Sequence, residues 1–243
     1  MPSSKSRPSR PIVLEPCKAY HVLQHILRRP APSNHLIICS SRDSFLQSLL
    51  YEITQESQNE QSTALEFLAP TLSNLHNSRN FQITFCSDLT NLRAYLAKLR
   101  HPQQQERVES ESKDAHDQTC PLLMIINPIH IHEQTLSYSV QGFNRTFASI
   151  ADVAHGLNHQ LIMVECINPE DEYETGVQED ADMLDGSHSV TNVWDQDLSM
   201  LNITTKTFGT GERAWVGRTV RIRQVAARWC EFRKLEDYGA GLV

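Results

Sequence analysis

Leu122-Leu123-Met124-Ile125-Ile126 is five apolar residues in a row with no polar alternation. A strand with one face in water alternates apolar and polar side chains, so an unbroken run predicts a strand covered on both faces. Leu161-Ile162-Met163-Val164 has the same character, and His35-Leu36-Ile37-Ile38-Cys39 reads as a third buried strand. The segments between and after them repeat at helical spacing. Phe45, Leu46, Leu49, Leu50 and Ile53 make one stripe, Leu89, Leu92, Leu96 and Leu99 a second, and Phe147, Ile150, Ala151, Ala154 and Leu157 a third. Strands that alternate with helices in this way predict an α/β fold, a mainly parallel sheet with helices on both faces.

The remaining text fits around that frame. Ile12-Val13-Leu14 reads as a short strand, and Val22, Leu23, Ile26 and Leu27 as a helix stopped by Pro30 and Pro32. Ser40 or Ser41 caps the helix after the His35 strand, Thr54 to Ser62 reads as a loop, Phe81 to Cys86 as a strand, and Ser87 as the cap of the next helix. At the C-terminal end, Leu198 to Phe208 and Thr219 to Phe232 suggest a pair of antiparallel strands, because Val220 and Ile222 alternate with Arg221 and Arg223. One domain over residues 12–235 is expected, preceded by a disordered basic tail over 1–11 and followed by a tail over 236–243. It carries a polar insert loop over 101–119 and an acidic loop over 167–192.

Composition narrows the class. Of 243 residues, 40% are apolar and 21% charged, and the net charge of −7 argues against a surface coated all over with nucleic acid. No apolar run approaches the roughly 20 residues that cross a bilayer, so an intracellular protein with no membrane partner is expected. The six cysteines are widely spaced without a C-x-x-C pair, as reduced core thiols are. The sequons at Asn144 and Asn202 then count as chance matches.

The order of these elements from Asn34 to Phe232 resembles the core of the RecA recombinase superfamily, above all its eukaryotic recombinase-paralog branch. In that likeness Phe81 to Leu99 is a strand and helix, and Leu122 to Asn127 takes the place of the Walker B strand. A loop reaching Gln141-Gly142, the helix and strand from Thr146 to Val164, a mobile loop over Ile167 to Asn192 and a closing hairpin over Leu198 to Phe232 follow. The resemblance implies a RecA-like, P-loop-like fold and a nuclear protein of homologous recombination and DNA repair, also compatible with the cytoplasm. It would work by protein–protein interaction with other recombinase paralogs or Shu-like subunits in a hetero-oligomer. An accessory subunit of Elongator in tRNA modification is the alternative within the same fold, and an unrecognised nucleotide-dependent enzyme the alternative outside it.

The catalytic residues of that family are not repeated. A phosphate loop needs glycines, so that backbone N–H groups can curl around phosphate, and a lysine to neutralise it. The first glycine of this chain is Gly142, and Glu15-Pro16-Cys17-Lys18 stands where the loop is expected. Asn127 is the degenerate Walker B position, Ser41 and Arg42 fall near that of the water-activating glutamate, and Cys166 replaces a phosphate-sensing glutamine. The expectation is a pseudo-ATPase: no enzyme, no catalytic residues, no cofactor and no metal.

Two further patterns are weighed. His130 and His132 with Glu133 have the types and alternation of metal ligands, against the plainer reading of a polar strand end entering a loop. The acidic loop, with Glu170, Asp171, Glu172, Glu174, Glu179, Asp180, Asp182 and Asp185, repels phosphate. The terminal hairpin is basic instead. Lys206, Arg213, Arg218, Arg221, Arg223 and Arg228, interleaved with Trp215 and Trp229, form a candidate contact for DNA or an acidic partner, with a solvated edge as the equal alternative. Ser110 and Ser112 lie among acids and suit phosphorylation, against the reading of a solvated spacer.

Overall fold

The structure is a computed structural model, and it describes residues 10–28, 33–58, 69, 71–100, 120–133, 135–167, 192–200 and 219–239. Residues 1–9 of the expected basic tail, the insert over 101–119, residues 168–191 of the acidic loop, residues 201–218 and residues 240–243 therefore lie outside the described residues, whereas residues 236–239 of the expected C-terminal tail are helical. So do Ser110, Ser112, Lys206, Arg213 and Arg218.

The strands are β1 (Ile12–Cys17), β2 (Asn34–Ile38), β3 (Phe81–Phe85), β4 (Leu122–Ile126), β5 (Gln160–Cys166), β6 (Asp197–Ser199), β7 (Thr219–Arg221) and β8 (Glu231–Arg233). The helices are α1 (Ala19–Leu27), α2 (Arg42–Ser57), α3 (Leu72–Ser78), α4 (Leu89–Arg100), α5 (Val140–Leu157), α6 (Ile222–Ala226) and α7 (Leu235–Gly239). Six strands form one sheet in the order β3-β2-β4-β5-β1-β8, and β6 and β7 form a separate pair. All five pairings of the large sheet are parallel, and β6 with β7 is antiparallel. This is the α/β architecture expected: a parallel sheet between two helical layers, with an antiparallel hairpin near the C-terminus.

The two apolar runs lie at the centre, as strands buried on both faces must. Every residue of β4 is buried, and β4 pairs with β5 from Leu122 opposite Gln160 to Ile126 opposite Val164. Alternate side chains divide between two cores. On one face Leu122, Met124, Ile126, Ile162 and Val164 meet Val22 and Ile26 of α1 and Phe45 of α2. On the other, Leu123, Ile125, Leu161 and Met163 meet Leu92 and Leu96 of α4, Phe143, Phe147 and Ile150 of α5, and Trp194. A side chain buried as fully as these stabilises the fold by about 1.5–3 kcal/mol.

Three local expectations are corrected. The segment from Thr54 is helical through Ser57, because Glu52, Ile53 and Glu56 face α1 and keep the helix docked. Helix α5 begins at Val140 rather than Thr146: the Ser139 hydroxyl accepts from the Gly142 N–H and supplies the N-cap. A side chain at Gly142 would also collide with the Ser137 carbonyl, only 1.9 Å from an ideal Cβ, so this glycine serves packing. Third, the extended reading of Thr219 to Phe232 holds only at its two ends, in β7 and β8. Ile222, Val225 and Ala226 recur at i, i+3 and i+4 and are buried as one face of α6, so Arg223 is helical. Phe232, in turn, pairs in parallel with Val13 of β1.

Candidate functional site at the carboxyl ends of the strands

In open α/β sheets ligands bind beyond the carboxyl ends of the strands, where successive connections leave toward opposite faces. Strands β1 and β5 are such neighbours. Helix α1 leaves β1 onto the face it shares with α2, whereas Trp194 and Leu198, which follow β5, pack on the face of α4 and α5.

At the end of β1 the first turn of α1 is an anion-binding position: Lys18 is its N-cap, is extended and supplies no side-chain cap of its own. The anion there is Glu52 of α2. It is only 4% exposed, and its carboxylate accepts from the Tyr20 N–H at 3.0 Å and the Ala19 N–H at 3.3 Å. One turn further along α2, Glu56 takes the Lys18 ammonium at 2.7 Å. The two groups with which a helix start and a lysine would hold phosphate are thus satisfied from inside the protein. Burial pushes the adjacent Cys17 thiol up to about 12, with Glu52 adding to the effect, so it stays protonated.

Asn127, the degenerate Walker B position, ends β4 in the left-handed region at φ 58°, a conformation that asparagine tolerates better than most residues. Its N–H donates to the Val164 carbonyl at 2.8 Å, and its Oδ1 accepts from the Cys166 N–H at 2.7 Å. The side chain is spent on joining β4 to β5. Ser41 is spent likewise, accepting from the Ser44 N–H at the start of α2.

Glu165, the last acid before Cys166, is buried at 4% exposure and accepts from the Ile129 N–H. Burial raises its pKa to about 8; the Ile129 bond opposes that rise and the charge of Glu133 adds to it. Cys39 and Cys166 are also held well above the usual thiol range by burial.

The histidine pattern resolves into two different environments. His130 is paired with Glu133 at 3.3 Å. His132 is buried and stacked on Phe143 at 4.1 Å between ring centres, and burial lowers its pKa to about 4. Among the described residues no group of three or more His, Cys, Asp or Glu side chains is placed to hold a metal ion.

The described arginines of the basic segment also separate. Arg221 and Arg228 are exposed. Arg223 is not free on an outer face: it contacts both Glu15 oxygens at 2.8 and 2.9 Å and Asp195 at 3.1 Å, and it lies 4.4 Å above the Phe232 ring. Trp229 donates from its indole to Asn144 of α5 at 3.1 Å and packs against the core.

Sequence reasoning missed Glu52 and Glu165. Signals for both were present, since Glu52 follows Leu49 by three and adjoins Ile53 on the apolar stripe of α2, and Glu165 interrupts an otherwise apolar strand. No family model matches this chain, and no curated protein matches it in sequence.

Proposed function

We propose that this chain is a non-catalytic, RecA-like subunit of a heteromeric complex that supports homologous recombination and DNA repair, acting through the surfaces it presents to other subunits. The observation that carries the non-catalytic half is the Glu52 carboxylate on the first N–H groups of α1, with Glu56 holding Lys18. A nucleotide phosphate would have to expel a buried, doubly hydrogen-bonded carboxylate and break an ion pair, against repulsion between like charges. Asn127 adds to this, because its amide is a weak ligand for Mg²⁺ and is already engaged by Cys166. The choice of complex rests on the resemblance in element order, now joined by a parallel sheet with an antiparallel hairpin beside it.

Two measurements test the two halves. Millimolar Mg-ATP should leave the Tm of the full chain unchanged and release no phosphate. Any ligand that binds only the folded state must raise stability by mass action, so a clear shift would overturn the pseudo-ATPase reading. Affinity purification of the full chain should recover RecA-like partner subunits, and recovery of Elongator subunits instead would move the assignment to that complex.

A further inference from the structure

The amino ends of the strands, opposite the site described above, carry a pair of histidines. His35 is the second residue of β2, and alternation along the strand turns it with Ile37 and Cys39 toward the layer of α4 and α5. His159 stands between the left-handed Asn158 that ends α5 and the first residue of β5. The two rings lie 5.4 Å apart between centres, tilted by 45°. We propose that His35 and His159 together bind a transition-metal dication of the zinc class, through one ring nitrogen each and with water in the remaining positions.

The hydrogen bonds leave two lone pairs for the ion. His159 Nδ1 lies 2.8 Å from the Leu157 carbonyl, which can only accept, so Nδ1 carries the hydrogen and Nε2 of the neutral ring is bare. A backbone carbonyl on the far nitrogen is also what orients a ligating histidine. His159 Nε2 and His35 Nδ1 are both buried, and neither has a hydrogen-bond partner among the described residues. Unpaired buried nitrogens are costly, and one ion pairs both. Two imidazoles on a tetrahedral ion, at about 2.0–2.1 Å per bond, hold their ring centres about 5 Å apart, so rotation of the rings suits this pair to a shared ion without moving the strands. Burial first, and His159 second, hold His35 below the ordinary histidine range, which keeps it in the neutral form that ligates. The carbonyls of Ala154 and Leu157 meet His159 at the negative end of α5, where a cation is favoured. No third His, Cys, Asp or Glu among the described residues completes a metal-binding group with the pair. A hard cation such as Mg²⁺ therefore lacks the oxygens it needs, whereas a zinc-class ion takes two imidazoles and water, which reaches these partly buried residues. The site stands at the other end of the strands from Lys18 and does not rest on the proposed function.

The test is titration of the full chain, first stripped with a chelator, by Zn²⁺ alone. NMR of the histidine ring nitrogens should show His159 Nε2 and His35 Nδ1 moving before any other imidazole nitrogen, and Tm should rise with added Zn²⁺. His35→Gln and His159→Gln should each weaken Zn²⁺ binding about tenfold or more, since losing a ligand costs at least what losing its orienting partner does. Mg²⁺ should neither bind nor compete. His130→Gln, at the ring paired with Glu133, should leave the affinity unchanged. Circular dichroism checks the fold, and if a variant unfolds the NMR titration of the wild-type chain decides. The proposal is overturned if other imidazoles move first, or if both variants bind Zn²⁺ as the wild type does. It is overturned equally if Mg²⁺ raises Tm as much, or if Cys120→Ser, at the thiol that donates to the Asn158 carbonyl on the same turn, abolishes binding.

Discussion

Glu52 and Glu165 are the same residue type at the same 4% exposure, near the carboxyl edge of one sheet, and their surroundings use them in opposite ways. Glu52 meets two backbone N–H groups at the positive end of a helix, an environment that favours negative charge. Glu165 meets one N–H and feels the charge of Glu133, and burial raises its pKa to about 8. Burial alone therefore does not decide what an acid does in a core; the donors aimed at it do. Glu15 completes the series as a partly exposed carboxylate held below the usual range mainly by its hydrogen bonds from Arg223.

The largest expected effect follows from Glu165. Its folded pKa is raised from 4.5 to about 8, so the folded chain binds a proton that the unfolded chain releases above 4.5. Stability falls as pH rises through that window and levels off above 8, a loss of up to about 5 kcal/mol for a shift of this size. Glu165→Gln keeps the shape without the charge and should flatten the decline in urea-denaturation midpoints between pH 5 and 8. An unchanged slope would mean that Glu165 is charged in the folded state.

Glu52→Ala should cost about 2–3 kcal/mol at pH 7, because it strips two N–H groups of a charged partner at a helix start. Glu52→Gln, which retains one acceptor oxygen, should recover part of that loss. The same variants extend the functional test, since a chain that gains a phosphate-dependent Tm shift only when Glu52 is removed has its anion position blocked by that side chain.

Arg223→Met should cost about 1–2 kcal/mol, less than Glu52→Ala because the Glu15 pair is about one-third exposed and screened. With Arg223 present, the depressed pKa of Glu15 contributes stability that is present above the usual carboxylate range and lost as pH falls through the folded pKa. The variant should therefore lose less on acidification. Arg221→Glu, at an exposed strand position, should change stability by less than about 0.5 kcal/mol. If the two arginines behaved alike, Arg223 would be a solvated edge residue after all.

What the sequence determined follows from short-range periodicity. The unbroken apolar runs at Leu122 and Leu161 and the helical stripes at Phe45, Leu89 and Phe147 specify strands covered on both faces and helices that cover them, because solvent exclusion acts on the pattern of one segment at a time. The missing glycines before Gly142 belong to the same kind of evidence. Tertiary structure alone decided that Glu52 reaches the start of α1 across 32 residues, that Arg223 clasps Glu15 across 208, and that β8 pairs beside β1. A carboxylate or guanidinium in a linear sequence carries no sign of which donors will surround it. Its role depends on the direction and number of hydrogen bonds from distant segments, and these exist only once the sheet has brought the strand ends together.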